Sequence, residues 1–457
     1  MGDAQHSLVG RSFDWPVESG HFTVNPRGLK KEALSPEADS LPLKWESRFG
    51  SVTYTQLGPE FPYGGMNEKG LTIESLHSAP GNSYPGKDSS PAVNESQWIQ
   101  FQLDTAATVE DVIENASKVR IAKGLVDEHY FICDPTGNCA VIDFEDGKQV
   151  VYSGEKLNAR ICTNDRTGKV QANLRGIKQS RKLDSETPFP ESVLAPVAEF
   201  PSDEDFKDPI SHAMSTLEKV KRGNTQLQIV YDMKNRKFHF KTPGQPIKIV
   251  DMSNLDFSFK PSYQVLDLDT VKESTGNVTH QFRALTDADY AQLKLRASSA
   301  SMPDFAYAVE ALRAYSLHML QSRNILVSDG HNCKVEESAD SLISQIERFR
   351  GVLKNSREKR DSVSLHSACW VGDIESVTSL AKSLAPNVDL PNDYGLTPIQ
   401  LAVTNRSTEA ANIVRVLLEN GANFYQLNKD GRTLLQIAEN GGALPEVIRL
   451  LGNYPTK

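Results

Sequence analysis

Two charged side chains near the start of the chain could serve nucleophilic chemistry: Arg11 and Asp14, in Gly10-Arg11-Ser12-Phe13-Asp14-Trp15. A positive charge beside a thiol favours the thiolate, which is the form that attacks a carbonyl. Taken alone, however, an arginine and an aspartate three residues apart read as an ordinary surface ion pair. The five cysteines are Cys133, Cys139, Cys162, Cys333 and Cys369, few, odd in number and scattered. They make no disulfide framework, so a reducing compartment is expected. Cys133 and Cys139 flank the turn Asp134-Pro135-Thr136-Gly137 and could face each other across a hairpin; two buried strand cysteines is the simpler reading. His6-Ser7 lies close to Arg11, but a polar tail at a chain start is expected to be flexible. His129 and His239 fall in strand-like segments without metal-ligand spacing. No phosphate loop, zinc pattern or dinucleotide fingerprint is present, so no cofactor and no metal are expected.

The elements that would position these residues divide the chain. With 457 residues, it is too long for one ordinary core, and two or three domains are expected. A composition of 39% hydrophobic and 24% charged residues is that of a globular protein. The net charge of −9 argues against nucleic acid or an anionic membrane as the main partner. No apolar run reaches the roughly 18 residues of a membrane span, and Met1 to Gly10 is too polar for a signal peptide. A cytoplasmic location is the plain expectation. From Val9 to about Ser258 the chain reads as strands and turns with intervening helices, an α+β pattern. Ser51 to Thr55 alternates like a half-buried strand. Asp143 to Tyr152 has turn chemistry between β-rich flanks, and Thr225 to Lys241 repeats that pattern around Asn235-Arg236. Thr108 with Asp111 three residues on predicts a capped helix start. Beyond Leu285, the segments 290–297, 306–315 and 341–349 are amphipathic and helical in propensity. They predict a helical bridge over 285–360 that carries no chemistry.

From Asp361 the sequence repeats. Ser364-Leu365-His366-Ser367-Ala368, Thr397-Pro398-Ile399-Gln400-Leu401-Ala402 and Thr433-Leu434-Leu435-Gln436-Ile437-Ala438 start units 33 and 36 residues apart. These resemble ankyrin repeats, about three over 361–457, with the three extra residues in a lengthened loop near Asn405 to Glu409. His366 takes the turn position, where a histidine makes structural hydrogen bonds. The resemblance implies an all-α domain that binds a protein partner.

The Gly-Arg-Ser-Phe-Asp-Trp segment is followed by Gly65-Met66-Asn67-Glu68-Lys69-Gly70-Leu71 and by Cys162-Thr163-Asn164. In that order, over about Val9 to Phe259, these resemble the choloylglycine hydrolase family, the linear amide C–N hydrolases that include bile salt hydrolases and penicillin V acylases. The resemblance implies an N-terminal-nucleophile αββα sandwich over 1–284 and a small-molecule amide as substrate, such as an N-acyl amino acid or a bile-salt or penicillin V conjugate. It also implies that Arg11 sits against the nucleophilic thiol, that Asp14 holds the α-amine, and that Asn164 contacts the amine or the developing oxyanion. Asn67 is expected to shape its turn. Ten residues after Asn67, where bile salt hydrolases carry an oxyanion-hole asparagine, this chain has His77. Arg181 is a substitute for a later site arginine, in a stretch, Ser185 to Asp208, that looks shortened. The family's nucleophile is an N-terminal cysteine ahead of the arginine, and none of the ten residues before Arg11 is Cys. Two expectations follow. A cysteine upstream of Met1, behind a signal peptide, gives an active amidohydrolase; a chain that truly starts at Met1 gives an inactive hydrolase-fold scaffold acting through its ankyrin face. The fusion of the two domains resembles effectors that intracellular bacteria deliver into host cells.

Overall fold

The computed structural model describes residues 7–15, 17–34, 40–78, 84–122, 126–157, 160–164, 167–168, 170–171, 208–222, 224–260, 262–299, 308–316, 365–372, 374–384, 388–391, 396–405, 407, 409–428, 431–440 and 443–454. These fall into two compact units, one holding the described residues up to Ser316 and one those from Leu365 onward.

In the larger unit the strands in chain order are β1 (Leu8–Asp14), β2 (His21–Asn25), β3 (Lys30–Glu32), β4 (Lys44–Glu46), β5 (Ser51–Thr55), β6 (Gly64–Asn67), β7 (Thr72–His77), β8 (Ala92–Val93), β9 (Arg120–Ile121), β10 (Glu128–Cys133), β11 (Cys139–Glu145), β12 (Lys148–Ser153), β13 (Thr225–Asp232), β14 (Lys237–Lys241), β15 (Lys248–Asp251), β16 (Gln264–Asp267), β17 (Gly276–Asn277) and β18 (Arg283–Ala284). Among the described residues they build a nine-stranded sheet, in the order β12-β11-β10-β7-β6-β5-β2-β16-β18, and a five-stranded sheet, β1-β13-β14-β15-β17; β3–β4 and β8–β9 form separate pairs. Both expected hairpins are present. In β11–β12 the pair Glu145 and Lys148 closes on Asp146 (φ 51°) and Gly147 (φ 73°). Both turn residues are left-handed, the backbone that matches the twist of a two-residue hairpin.

Period-2 alternation gives each sheet an inner and an outer face. Inside, Phe22 of β2 meets Phe240 and Phe238 of β14 at ring distances of 4.9 and 5.6 Å, and Phe13 of β1 meets Tyr54 of β5 at 5.1 Å. Outside the larger sheet lie α1 (Glu95–Thr105) and α2 (Val109–Ala116). Trp98 stacks there on Tyr130 at 4.1 Å, over Ile73, Ile132 and Ile142. Thr108 and Asp111 close the capping box that their spacing predicts. Outside the smaller sheet, α3 (Pro209–Lys219) packs Met214 and Leu217 on Leu8 and Val230. The layers are therefore helix, sheet, sheet, helix, the α+β αββα sandwich expected from the sequence.

Two features depart from or exceed the sequence reading. Cys133 and Cys139 are disulfide-bonded, a correction to the expectation of two reduced strand cysteines: the β10–β11 register sets them directly opposite each other. A fully buried cation, Lys31 of β3, bridges Glu60 (2.6 Å) and Asp104 (2.8 Å). Trp45 and Gln100 also donate to Asp104, and Tyr263 to Glu60. This knot ties β3, β4, the β5–β6 connection and α1 together. Of the expected bridge, α4 (Asp287–Ser299) and the helical residues 308–316, α5, pack on this same unit. The Tyr315 hydroxyl donates to the carbonyl of Glu32, and its ring meets Phe61 at 5.4 Å. The segment 341–349 lies outside the described residues.

The smaller unit pairs α6 (Leu365–Val371) with α7 (Ile374–Leu384), α8 (Pro398–Ala402) with α9 (Ala410–Glu419), and α10 (Leu434–Asn440) with α11 (Pro445–Gly452). One continuous core runs through all three pairs, from Leu365 and Ala368 through Ile399 and Leu417 to Leu434 and Val447. The repeated Thr-x-x-Gln is a helix-start device: the backbone N–H of Thr397 donates to the Gln400 side chain at 3.1 Å, and that of Thr433 to Gln436 at 2.9 Å. Asn405, at the lengthened loop, donates to the carbonyls of Cys369 and Trp370 in the preceding repeat and accepts from the N–H of Ser407.

Candidate active site

Arg11 sits mid-strand on β1, opposite Ile229 of β13, and points between the sheets. Its guanidinium lies over the Phe13 ring (4.8 Å), donates to the carbonyl of Tyr63 (3.1 Å) and forms an ion pair with Glu74 of β7. The Tyr231 hydroxyl of β13 donates to the other oxygen of that carboxylate. Burial alone would lower the pKa of Arg11, but the charge and hydrogen bond of Glu74 outweigh it and the pKa is raised. Burial pushes Glu74 upward, opposed by Arg11 and by the Tyr231 hydrogen bond. Gly64 stands directly opposite Glu74, and a Cβ there would strike the carboxylate. The arginine expected to face a thiol thus has its charge met by a carboxylate from 63 residues away.

Asp14 does not pair with Arg11. It follows a register shift after Phe13, accepts from Ser12 (3.2 Å) and from the Thr225 hydroxyl, and lies 3.6 Å from the Arg222 guanidinium. Next to it, Trp15 stacks on His77 at 5.2 Å, bringing the end of β1 to the end of β7. His77 is exposed. Its pKa is lowered, first by desolvation and further by the positive charges of His129 and Arg11. Arg11, His77 and His129 therefore share one electrostatic neighbourhood. Asn164 is exposed, two residues after Cys162. Arg181 and nearly all of the Ser185 to Asp208 stretch lie outside the described residues. Asn67 shapes its turn as expected: its amide donates to the carbonyls of Leu103 and Ala106, and its oxygen accepts from the N–H groups of Lys69 and Leu71.

The structure also assembles a group of three that sequence reasoning missed. Cys162 Sγ lies 3.7 Å from His129 Nε2, and His129 Nδ1 lies 3.4 Å from Asp143 Oδ1. The pairing of Tyr130 with Ile142 places His129 of β10 and Asp143 of β11 side by side. Asp143 is pinned by the N–H of Phe144 (2.8 Å) and by the N–H and hydroxyl of Thr167 (3.0 and 2.9 Å). Burial would depress His129, but Cys162 and Asp143 outweigh it and hold the imidazole up at about 10. Burial would raise Asp143, but the hydrogen bond and charge of His129 bring it down to about 2. His129 and Asp143 are completely buried and Cys162 is half-buried. The available signal was a cysteine immediately before Thr163-Asn164, but its partners are 33 and 19 residues away and only strand register joins them.

Among the described residues, His21, Asp267 and Asp289 bring possible metal-ligating atoms within 4.8 Å of one another. Arg296 already holds both oxygens of Asp267 at 3.1 Å, and Arg283 holds both oxygens of Asp289 at 2.7 and 2.8 Å. The negative charge that would draw a cation is spent on two arginines, so the cluster reads as structural.

Comparison with known proteins places these features. Residues 2–188 match the model for linear amide C–N hydrolases of the choloylglycine hydrolase family, and residues 365–456 match ankyrin repeats in three copies. A penicillin V acylase of Pectobacterium atrosepticum is 28% identical over 186 residues, which cover 37% of this chain and 48% of the relative. The chain thus spans about half the length of that curated relative. A solved penicillin V acylase of Agrobacterium tumefaciens aligns over 63% of this chain and 96% of its own, with a TM-score of 0.53 and 24% identity, and so shares the fold. A solved conjugated bile acid hydrolase of Clostridium perfringens aligns over 57% and 92%, with 19% identity and a TM-score of 0.47.

Proposed function

We propose that this protein hydrolyses a linear, non-peptide amide and is brought to its place of action by a protein bound to the ankyrin face; the support is that residues 2–188 match the model of the choloylglycine hydrolase family and residues 365–456 that of ankyrin repeats. The substrate class is an N-acyl amino acid or a conjugate like a bile salt or penicillin V. The observation that carries this reading is the family match across a segment that contains Arg11 and Asp14 on β1, His77 at the end of β7, and Asn164. In it, a thiolate attacks the amide, the amine departs and water cleaves the thioester; Asn164 and His77 would meet the oxyanion and Asp14 would hold an α-amine. A domain over 1–284, a bridge over 285–360 and an ankyrin domain over 361–457 would divide the work. Assaying the natural full-length protein for release of free amine from such a panel tests the reading.

A second reading has its own support: an inactive hydrolase-fold scaffold that works by ankyrin-mediated binding. The observation favouring it is the Glu74 carboxylate on Arg11, which consumes the charge a thiolate would use. Intact mass and N-terminal sequencing of the protein from its native source separate the two: a mature chain that begins with Cys supports the enzyme, and one that begins at Met1 or Gly2 removes the N-terminal cysteine mechanism. For location we propose delivery from a bacterium into a host cell. The Cys133–Cys139 disulfide supports passage through an oxidising environment, and among the described residues no helix is long and apolar enough to cross a membrane. Failure of a secretion reporter fused to the full chain to reach host cytosol would rule that out.

A further inference from the structure

We propose that Cys162, His129 and Asp143 form a nucleophilic centre inside the chain, in which Cys162 accepts acyl groups from esters or amides of carboxylic acids as a thioester. Three observations carry it. The order is thiol, imidazole, carboxylate, with each ring nitrogen turned to one partner: Nε2 to the sulfur at 3.7 Å and Nδ1 to the carboxylate at 3.4 Å. That is the arrangement by which a base is oriented by a third group and activates a nucleophile, on whatever fold it occurs. The carboxylate cannot turn away, because Thr167 and Phe144 hold both its oxygens. Finally, His129 and Asp143 are completely buried whereas Cys162 is half-buried, so the cysteine is the member of the three with solvent exposure. Contacts at 3.4–3.7 Å are long for hydrogen bonds, as is common before a substrate tightens such a site.

The step balances within the chain. The Cys162 thiolate adds to the acyl carbon while the proton rests on His129 Nε2. The C–N or C–O bond breaks, and the departing amine or alcohol takes that proton. His129 Nε2 then removes a proton from water, whose oxygen attacks the thioester carbon; the C–S bond breaks and the acid leaves. The sum is acyl compound plus water giving acid plus amine or alcohol. Asn164, two residues along the same segment, is the amide donor nearest in sequence for the oxyanion. The groups that set the charge around His129 are Cys162, Asp143 on β11, Glu128 on its own strand and His77 on β7. The choice of an amide as natural substrate rests on the function proposed above; the thiol centre itself does not.

The test is peptide-resolved mass spectrometry of the full chain after timed exposure to iodoacetamide from pH 5.5 to 9, and separately to p-nitrophenyl acetate. Cys369 is the internal control, since it is buried and its thiol is pushed up to about 12. With the His129 imidazole 3.7 Å from its sulfur, Cys162 should alkylate at pH 6 faster than a thiol with no imidazole beside it, by about 10- to 100-fold. His129→Gln should abolish that advantage and restore an ordinary pH curve, and Asp143→Asn should lower it in part, with unchanged fluorescence of Trp15, Trp45 and Trp98 in a Trp370→Phe background as the sign that the larger unit is intact. The p-nitrophenyl acetate should leave an acetyl group on Cys162 with a burst of p-nitrophenol. An ordinary thiol titration of Cys162 in the unsubstituted protein, or acetyl found elsewhere and not on Cys162, overturns the proposal. Acetylation of Cys162 without turnover of any amide would leave this centre standing and count against the amide function. Amide turnover that survives Cys162→Ala would do the reverse.

Discussion

Glu74→Ala removes the one carboxylate that faces Arg11 between the sheets. The Arg11 side chain is 13% exposed and that of Glu74 5%, so the guanidinium would be left nearly buried and unpaired. Breaking such a pair from one side costs about 3–5 kcal/mol, and Tyr231 loses its acceptor, which adds about 1 kcal/mol. For a unit of this size that predicts a fall in Tm of about 10–20 °C, at roughly 2–4 °C per kcal/mol. Replacing both partners, Arg11→Met with Glu74→Leu, removes charge and countercharge together and should cost about 1–2 kcal/mol, mostly from the Tyr231 hydroxyl. Urea unfolding followed by tryptophan fluorescence in a Trp370→Phe background measures this, since Trp15, Trp45 and Trp98 then report the larger unit alone. The reasoning fails if Glu74→Ala costs less than about 1 kcal/mol, or if the double replacement equals the sum of the singles within the roughly 0.5 kcal/mol expected of independent sites.

Other consequences are as direct. Asp143 is depressed to about 2 and His129 raised to about 10. Set against unfolded values of about 3.9 and 6.5, the aspartate's contribution is lost as pH falls from about 4 towards 2, and the histidine's as pH rises from about 6.5 towards 10. The gap in urea midpoint between the unsubstituted protein and His129→Gln should therefore be widest between about pH 4 and 6.5 and narrow on both sides. Lys31→Met leaves Glu60 and Asp104 buried without their cation and should destabilise the larger unit by about 3–5 kcal/mol; a loss under about 1 kcal/mol in the fluorescence titration would count against the ion cluster as a structural tie. Asn405→Ala strips two carbonyls and one N–H of their partner and should cost the ankyrin unit about 2–3 kcal/mol, read by hydrogen exchange of the amides in α6 and α8.

What the sequence disclosed was mostly local. Thr108 with Asp111 and the Asp146-Gly147 turn are each decided by a few neighbouring residues, and each forms as its spacing predicts. The layered sandwich was legible through the resemblance of its motifs to a known family and not through periodicity, and the repeats through the return of one turn-and-helix motif after 33 and 36 residues. The site was legible only as positions. That Arg11 would meet Glu74 and Tyr231, partners 63 and 220 residues away, depends on which face each strand turns inward, and a one-residue slip in register reverses that. Cys162 was visible as part of a motif and His129 as a strand residue, yet their meeting depends on two crossings of the larger sheet. The Cys133–Cys139 disulfide was an open alternative in the sequence, because six residues around a turn place two cysteines opposite each other only if the register is even.

The central claim is the proposed one, that the larger unit, whose residues 2–188 match the linear amide C–N hydrolase model, cleaves amides. Its most direct test is to incubate the natural full-length protein with penicillin V, glycine-conjugated bile salts and N-acyl amino acids, and to quantify acid and amine by mass spectrometry. The account predicts equimolar release of both from at least one substrate class, lost on Arg11→Gln in a protein that remains folded. No release from any class by folded protein whose mature N-terminus has been determined would contradict it.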